Sequence, residues 1–157
     1  GPGSFSGVRI NAAVTQALAW SNDLPVIPVS TLQALAQAAY REHKLQQVTA
    51  VLDARMSEVY IASFELDANN IMHAVDEEQL LSYSHAQDYQ KFTLIGSGSA
   101  LLSSEATDYL KVSATAEDIA TIARQHALNQ HWVTADLALP VYLRDDAWKK
   151  IPEQGKQ

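Results

Sequence analysis

The chain contains no cysteine, which excludes disulfide staples, thiol nucleophiles and cysteine-ligated metals and accords with a reducing compartment. Glycine and proline are scarce, at 6 and 5 of 157 residues, so neither a collagen-like repeat nor a turn-rich disordered chain fits. No apolar run approaches the roughly 20 residues of a membrane span, and no charged-then-apolar leader is visible. The expected compartment is the cytoplasm, without membrane contact. Basic residues are also few: 11 Lys and Arg against 18 Asp and Glu leave a formal net charge of −7. That sign repels phosphate backbones, which disfavours autonomous nucleic-acid binding.

Catalytic motifs are missing as well. The string Gly, four residues, Gly-Lys-Ser/Thr does not occur, so a P-loop is not expected. Gly96-x-Gly98 runs on to Leu101 where a dinucleotide fingerprint requires a third small residue. Ser4 and Ser6 lie near glycines but do not form a Gly-x-Ser-x-Gly elbow. Histidines occur at 43, 73, 85, 126 and 131, with no pair spaced i, i+4, the spacing that sets two imidazoles on one helical face for zinc. No residue is assigned a catalytic or metal-binding role.

What the sequence does contain is a core. It is 47% hydrophobic over 157 residues, and a chain of that length can bury roughly 70% of its unfolded surface. The charge is uneven: residues 1–46 carry +1, residues 47–139 carry −9 and residues 140–157 carry +1. This suggests a middle lobe over 47–132 (a meander sheet plus helices), preceded by residues 1–46 (helix, strand, helix) and followed by a C-terminal arm over 133–157.

Ile10, Ala13, Val14, Ala17 and Leu18 recur at helical spacing and predict an amphipathic helix over 8–20. Its alanines would let a second helix approach closely, so a tightly packed helix pair is expected. A strand is expected over 25–29, then a helix from Ser30-Thr31-Leu32-Gln33, which has the capping-box pattern. Strand runs follow at 48–52 and 59–66, joined by a polar connection over 53–58, and a third strand at 71–75. A short strand at 92–95 and a helix capped near Thr115 complete the reading. Alternating helices and strands favour α/β layers.

Three segments carry latent chemistry. The glycine loop at residues 1–7 directly precedes a helix, where backbone donors can hold an anion; Gly3, Ser4 and Gly7 are the candidate residues, although the glycines can equally serve only to turn the chain. Asp53, Arg55 and Glu58 concentrate charge in one hairpin connection, either to fix a loop or to face a partner. At the other end, residues 140–150 form an aromatic and basic tail, suited to RNA or protein contact or to docking as an arm.

Taken in order, Gly1-Pro2-Gly3-Ser4-Phe5-Ser6-Gly7-Val8-Arg9-Ile10, Asp53-Ala54-Arg55-Met56, Glu58-Val59-Tyr60, Pro140-Val141-Tyr142-Leu143-Arg144 and Ala147-Trp148-Lys149-Lys150 closely resemble the motifs of the TsaB (YeaZ) family. Ser6 stands for the family's threonine, while Asn11 and Ser57 depart from its glycines. The resemblance implies an α/β fold of the actin-like ATPase (ASKHA, ribonuclease H-like) type with two lobes. It also implies that the first lobe is incomplete, an opening segment of strands and a helix being absent.

By the same resemblance the protein would be a non-catalytic scaffold in the complex that installs threonylcarbamoyladenosine in tRNA. It would bind a TsaD-like transferase and a TsaE-like ATPase, form a homodimer when alone and meet tRNA only through the complex. It would hold no cofactor by itself, with ATP or ADP at the complex interface. The partner interface would be the stripe Ile10, Ala13, Val14, Ala17 and Leu18. The rival reading is a glycoprotease-like metallopeptidase or partner-degrading protease, which would need the His-x-x-x-His pair that the sequence lacks.

Overall fold

Residues alternate strictly in role along two neighbouring strands, and this alternation sets the architecture. The computed structural model describes residues 1–144. In it β1 (Gln47–Arg55) and β2 (Glu58–Leu66) pair antiparallel, with Val48 opposite Phe64, Ala50 opposite Ala62 and Val51 opposite Ile61. Because side chains on a strand point to opposite faces in turn, Val48, Ala50, Ala62 and Phe64 fill one core, and Val51, Val59 and Ile61 fill another. Both faces are covered, so both sets are apolar.

α2 (Thr31–His43) covers the first face with Leu32, Leu35, Ala36 and Ala39. Fully burying such leucines contributes about 1.5–3 kcal/mol each. α3 (Tyr83–Tyr89) and α4 (Ser99–Leu102) cover the second through Ala86 and Leu102. β3 (Met72–Ala74) and β4 (Gln79–Ser82) pair with the two ends of β2, and β5 (Thr93–Ile95) lies parallel to β1, giving the order β3-β2-β1-β5 with β4 also on β2. Of these, β4, α3 and α4 had no periodicity long enough to be anticipated.

Several polar groups in this core are satisfied in place. The Thr49 and Ser63 hydroxyls, opposite each other in the β1–β2 register, meet at 3.0 Å. Gln37, buried on α2, donates to the Asn70 carbonyl and accepts from the Met72 N–H, and Gln33 donates to the Met72 carbonyl. These two glutamines tie α2 to the backbone at the start of β3. Gln33 therefore does not complete the expected capping box: Ser30 accepts from the N–H groups of Leu32 and Gln33, but the glutamine amide is committed to Met72.

α5 (Ala116–Leu128) begins at Thr115 as expected and packs on α2. Asp118, 1% exposed, joins the two. Its carboxylate accepts from Arg41 at 2.9 and 3.1 Å and from the Thr115 N–H and hydroxyl at 2.8 and 3.0 Å. Burial alone would raise its pKa, but the Arg41 guanidinium and the Thr115 donors outweigh it and hold the carboxyl below its ordinary value.

Three expectations are corrected. Residues 25–29 form no strand, since Pro25 and Pro28 lack donors and only Val26 pairs, as an isolated bridge with Val133. The connection between β1 and β2 is only Met56 and Ser57, because residues 53–55 remain in the strand and Glu58 already begins β2. α1 (Phe5–Asn22) forms as predicted but packs on no other helix among the described residues; it meets the 3-10 turn Ala135–Leu137. The helix pairs that do form are α2 with α5 and α3 with α4. α2, grouped by sequence with residues 1–46, contributes its buried face to the sheet of residues 47–132.

Asp118→Ala is expected to lower stability by about 2–3 kcal/mol, through loss of the α5 cap and of charge-assisted bonds to a partly exposed Arg41. A depressed carboxylate contributes stability that is fully present above its unfolded pKa of about 3.9 and is lost as pH falls through the lower folded value. Urea unfolding at pH 7 and again below pH 4 should show Asp118→Asn losing less stability on acidification than the parent.

Candidate functional site

Four of the five separated motifs meet in one cleft. Ser4 opens α1 by accepting from the Gly7 N–H at 3.3 Å, which turns the chain at Gly3-Ser4-Phe5 toward the β1–β2 hairpin. A Cβ at Gly7 would stand 2.5 Å from the Ser4 Oγ, so the cap itself requires glycine there. On the facing side Asp53 accepts from the Arg55 N–H at 2.8 Å and its guanidinium at 3.0 Å. This local loop lets Arg55, Met56 and Ser57 take positive φ values of 66°, 54° and 61°, a run that costs L-residues energy at each position. Ser57, where the resemblance wants glycine, is in the conformation glycine favours.

The returning chain closes the cleft. Arg144 pairs with Glu58 at 2.5 Å and donates to the Ala54 carbonyl at 3.3 Å, clamping the hairpin. The Tyr142 ring lies 6.1 Å from that of Phe5, and Arg9 stands over Phe5 at 4.8 Å. The enclosed volume is about 440 Å³, lined by Gly3, Ser4, Phe5, Asp53, Arg55, Tyr60, Ser97, Tyr142 and Arg144 among others.

Of the candidate anion residues, Gly3 and Ser4 line the cleft, while Gly7 lies beneath the Ser4 hydroxyl. Asp53 and Arg55 belong to the cleft, and Glu58 anchors its clamp. Sequence reading missed Ser97. The signal was present in the loop at 96–99: Gly96, at φ +93°, lies so close to β1 that a Cβ would sit 2.6 Å from the Val51 carbonyl oxygen.

The stripe Ile10, Ala13, Val14, Ala17 and Leu18 faces away from the cleft. All five are exposed, Ile10 at 65%, Val14 at 54% and Leu18 at 61%, whereas Ala19, on the other side of α1, is buried. The aromatic and basic positions 145–150 lie outside the described residues. Among the described residues no three His, Asp or Glu side chains converge as a metal set, and no helix is long and apolar enough to cross a membrane.

Comparison with known proteins finds relatives of the whole chain. The family model for TsaD, tRNA N6-adenosine threonylcarbamoyltransferase, matches residues 1–140. The chain is 37% identical to the tRNA threonylcarbamoyladenosine biosynthesis protein TsaB of Escherichia coli K12, aligning over 100% of this chain and 73% of that protein. It is 36% identical to the protein so named in Haemophilus influenzae, over 97% of this chain and 71% of the relative. Among solved structures, YeaZ from Pseudomonas aeruginosa superposes with a TM-score of 0.81 at 34% identity, covering 91% of this chain and 71% of that one. The α/β fold is thus the actin-like, ASKHA type that the motifs implied.

Two substitutions test the cleft. Arg144→Ala should cost about 1–2 kcal/mol and speed amide exchange at Met56 and Ser57; Arg144→Lys should recover only part of this, because a single ammonium cannot reproduce the guanidinium's fork of donors. Ser57→Gly should stabilise the hairpin by about 0.5–1 kcal/mol by relieving positive φ, read as a higher urea midpoint at unchanged slope.

Proposed function

The chain belongs to the TsaB (YeaZ) family of tRNA threonylcarbamoyladenosine biosynthesis proteins, and from that premise we propose that it is a non-catalytic scaffold subunit docking a TsaD-like transferase along α1. The observation carrying this reading is the exposed stripe. Ile10, Val14 and Leu18 present branched aliphatic side chains to solvent one turn apart, separated by the small Ala13 and Ala17. A helix from a partner can settle closely on such a surface, and apolar area of this kind is what a docking face leaves exposed.

The cleft supports a structural role. Its two guanidinium groups are already occupied, Arg55 by Asp53 and Arg144 by Glu58, and the Ser4 hydroxyl accepts the α1 cap bond. Little charge remains to neutralise phosphates, so ATP or ADP bound beside Gly3 and Ser4 would need cations from the partner and would sit at the complex interface. The same deficit, with the net charge of −7, leaves tRNA to be engaged through the complex. A TsaE-like ATPase would join that assembly in the cytoplasm. A chain lacking these partners would cover the stripe with a second copy.

Ala13→Asp and Val14→Asp are each expected to abolish association with the TsaD-like transferase, since each would bury an unpaired charge in the seam at a cost of several kcal/mol. Both positions are exposed in the isolated chain, so circular dichroism should be unchanged. Full binding by a folded variant would sink the docking reading.

A further inference from the structure

At its C-terminal end α1 presents a second surface that stays exposed among the described residues. Val26 and Val133 exchange two backbone hydrogen bonds of 2.8 Å, which bring Trp132 beside Trp20. With Leu24 and Ala135 the two indoles line an open cleft of about 580 Å³. Trp20 is 78% exposed and Trp132 48%, and tryptophan is the side chain most enriched where binding energy concentrates.

The charge at this cleft has one sign. Asp23 and Asp136 form its rim, and neither carboxylate is in an ion pair among the described residues. Asp23 is the C-cap of α1, whose last turn has no basic residue. The negative end of the helix dipole therefore carries a further negative charge, the opposite of the stabilising arrangement. Carboxylates beside exposed indole faces form a receptor for an organic cation. The cleft is also continuous with the docking stripe, since Trp20 follows Ala17 by one turn and Ala13 by two on the same side of the helix.

We propose that this cleft anchors a basic side chain, lysine or arginine, flanked by an aliphatic residue on the partner protein that docks along α1. The cation lies over an indole between Asp23 and Asp136, and the aliphatic neighbour fills the floor at Leu24 and Ala135. The site rests on the α1 docking reading and extends it from an apolar seam to one with a charge-specific end. A nucleic acid is the wrong occupant, because both rim carboxylates repel phosphate.

The test titrates the intact chain with the TsaD-like transferase at low and high salt. Trp132→Ala should weaken association at least about 10-fold. Asp23→Asn combined with Asp136→Asn should weaken it about 3- to 10-fold at low salt and less at high salt, with circular dichroism confirming both folds. Parental affinity in both variants overturns the proposal. If Val14→Asp still abolishes binding in that case, the docking reading stands alone; if Val14→Asp also binds normally, both fall. A partner-free measurement uses a Trp148→Phe chain: acetyl-Leu-Arg-Leu-amide should shift indole emission where acetyl-Leu-Glu-Leu-amide does not, and the shift should vanish in Asp136→Asn. Equal responses to the two peptides overturn the proposal.

Discussion

The packing of α2 on the β1–β2 pair is the constraint from which the other parts take their positions. Leu32, Leu35, Ala36 and Ala39 must lie flat on Val48, Ala50, Ala62 and Phe64, and the alanines let the helix come close enough for Gln33 and Gln37 to reach the backbone of Met72 and Asn70. One helix thereby supplies both the apolar cover of a sheet face and the hydrogen-bond partners of its edge. Arg41, one turn after Gln37, then receives Asp118 and fixes α5. A buried glutamine or carboxylate without these partners would cost more than its packing contributes, so the helix, the edge strand and α5 are mutually conditional.

Function follows from what this arrangement leaves over. With α2 committed to the sheet, α1 is held by its own N-terminal cap, by the 3-10 turn Ala135–Leu137 and by the contact of Phe5 with Tyr142. Among the described residues its remaining face is exposed. The two ends of the same helix then differ in kind. The N-terminal end looks into a cleft whose charges are internally neutralised, whereas the C-terminal end looks onto indoles and onto carboxylates that have no ion pair among the described residues. In the proposed scaffold role, such asymmetry would fix the direction in which a partner helix can lie.

Legibility varied with the length of the pattern. The helices at 5–22, 31–43 and 116–128 were readable because periodicity persists over two turns or more, and the long strands because apolar, β-branched and aromatic residues run together at 48–52 and 59–66. The capping signal at Ser30 was readable only in half, since the Gln33 amide prefers a carbonyl 39 residues away to the local N–H. Residues 25–29 looked like a strand in composition, but a strand exists only where a neighbour pairs with it, and two prolines restrict that pairing to Val26. Short elements such as β4 and α4 carry too few residues to repeat any period.

By itself the sequence determined the family, through motifs whose joint order is specific, and the existence of an apolar stripe on α1, because both are properties of residues close in the chain. Whether that stripe faces inward or outward was decided only by the tertiary structure: periodicity reports that one side of a helix is apolar and is silent about what covers it. The cleft is likewise a tertiary object. Ser4, Asp53, Ser97 and Arg144 are separated by more than forty residues at each step, and it is the β1–β2 register, the parallel pairing of β5 on β1 and the Arg144 clamp that bring them to one volume. The pairing of Val26 with Val133 does the same for the two tryptophans, since proximity across the chain depends on backbone hydrogen bonds that no local pattern encodes.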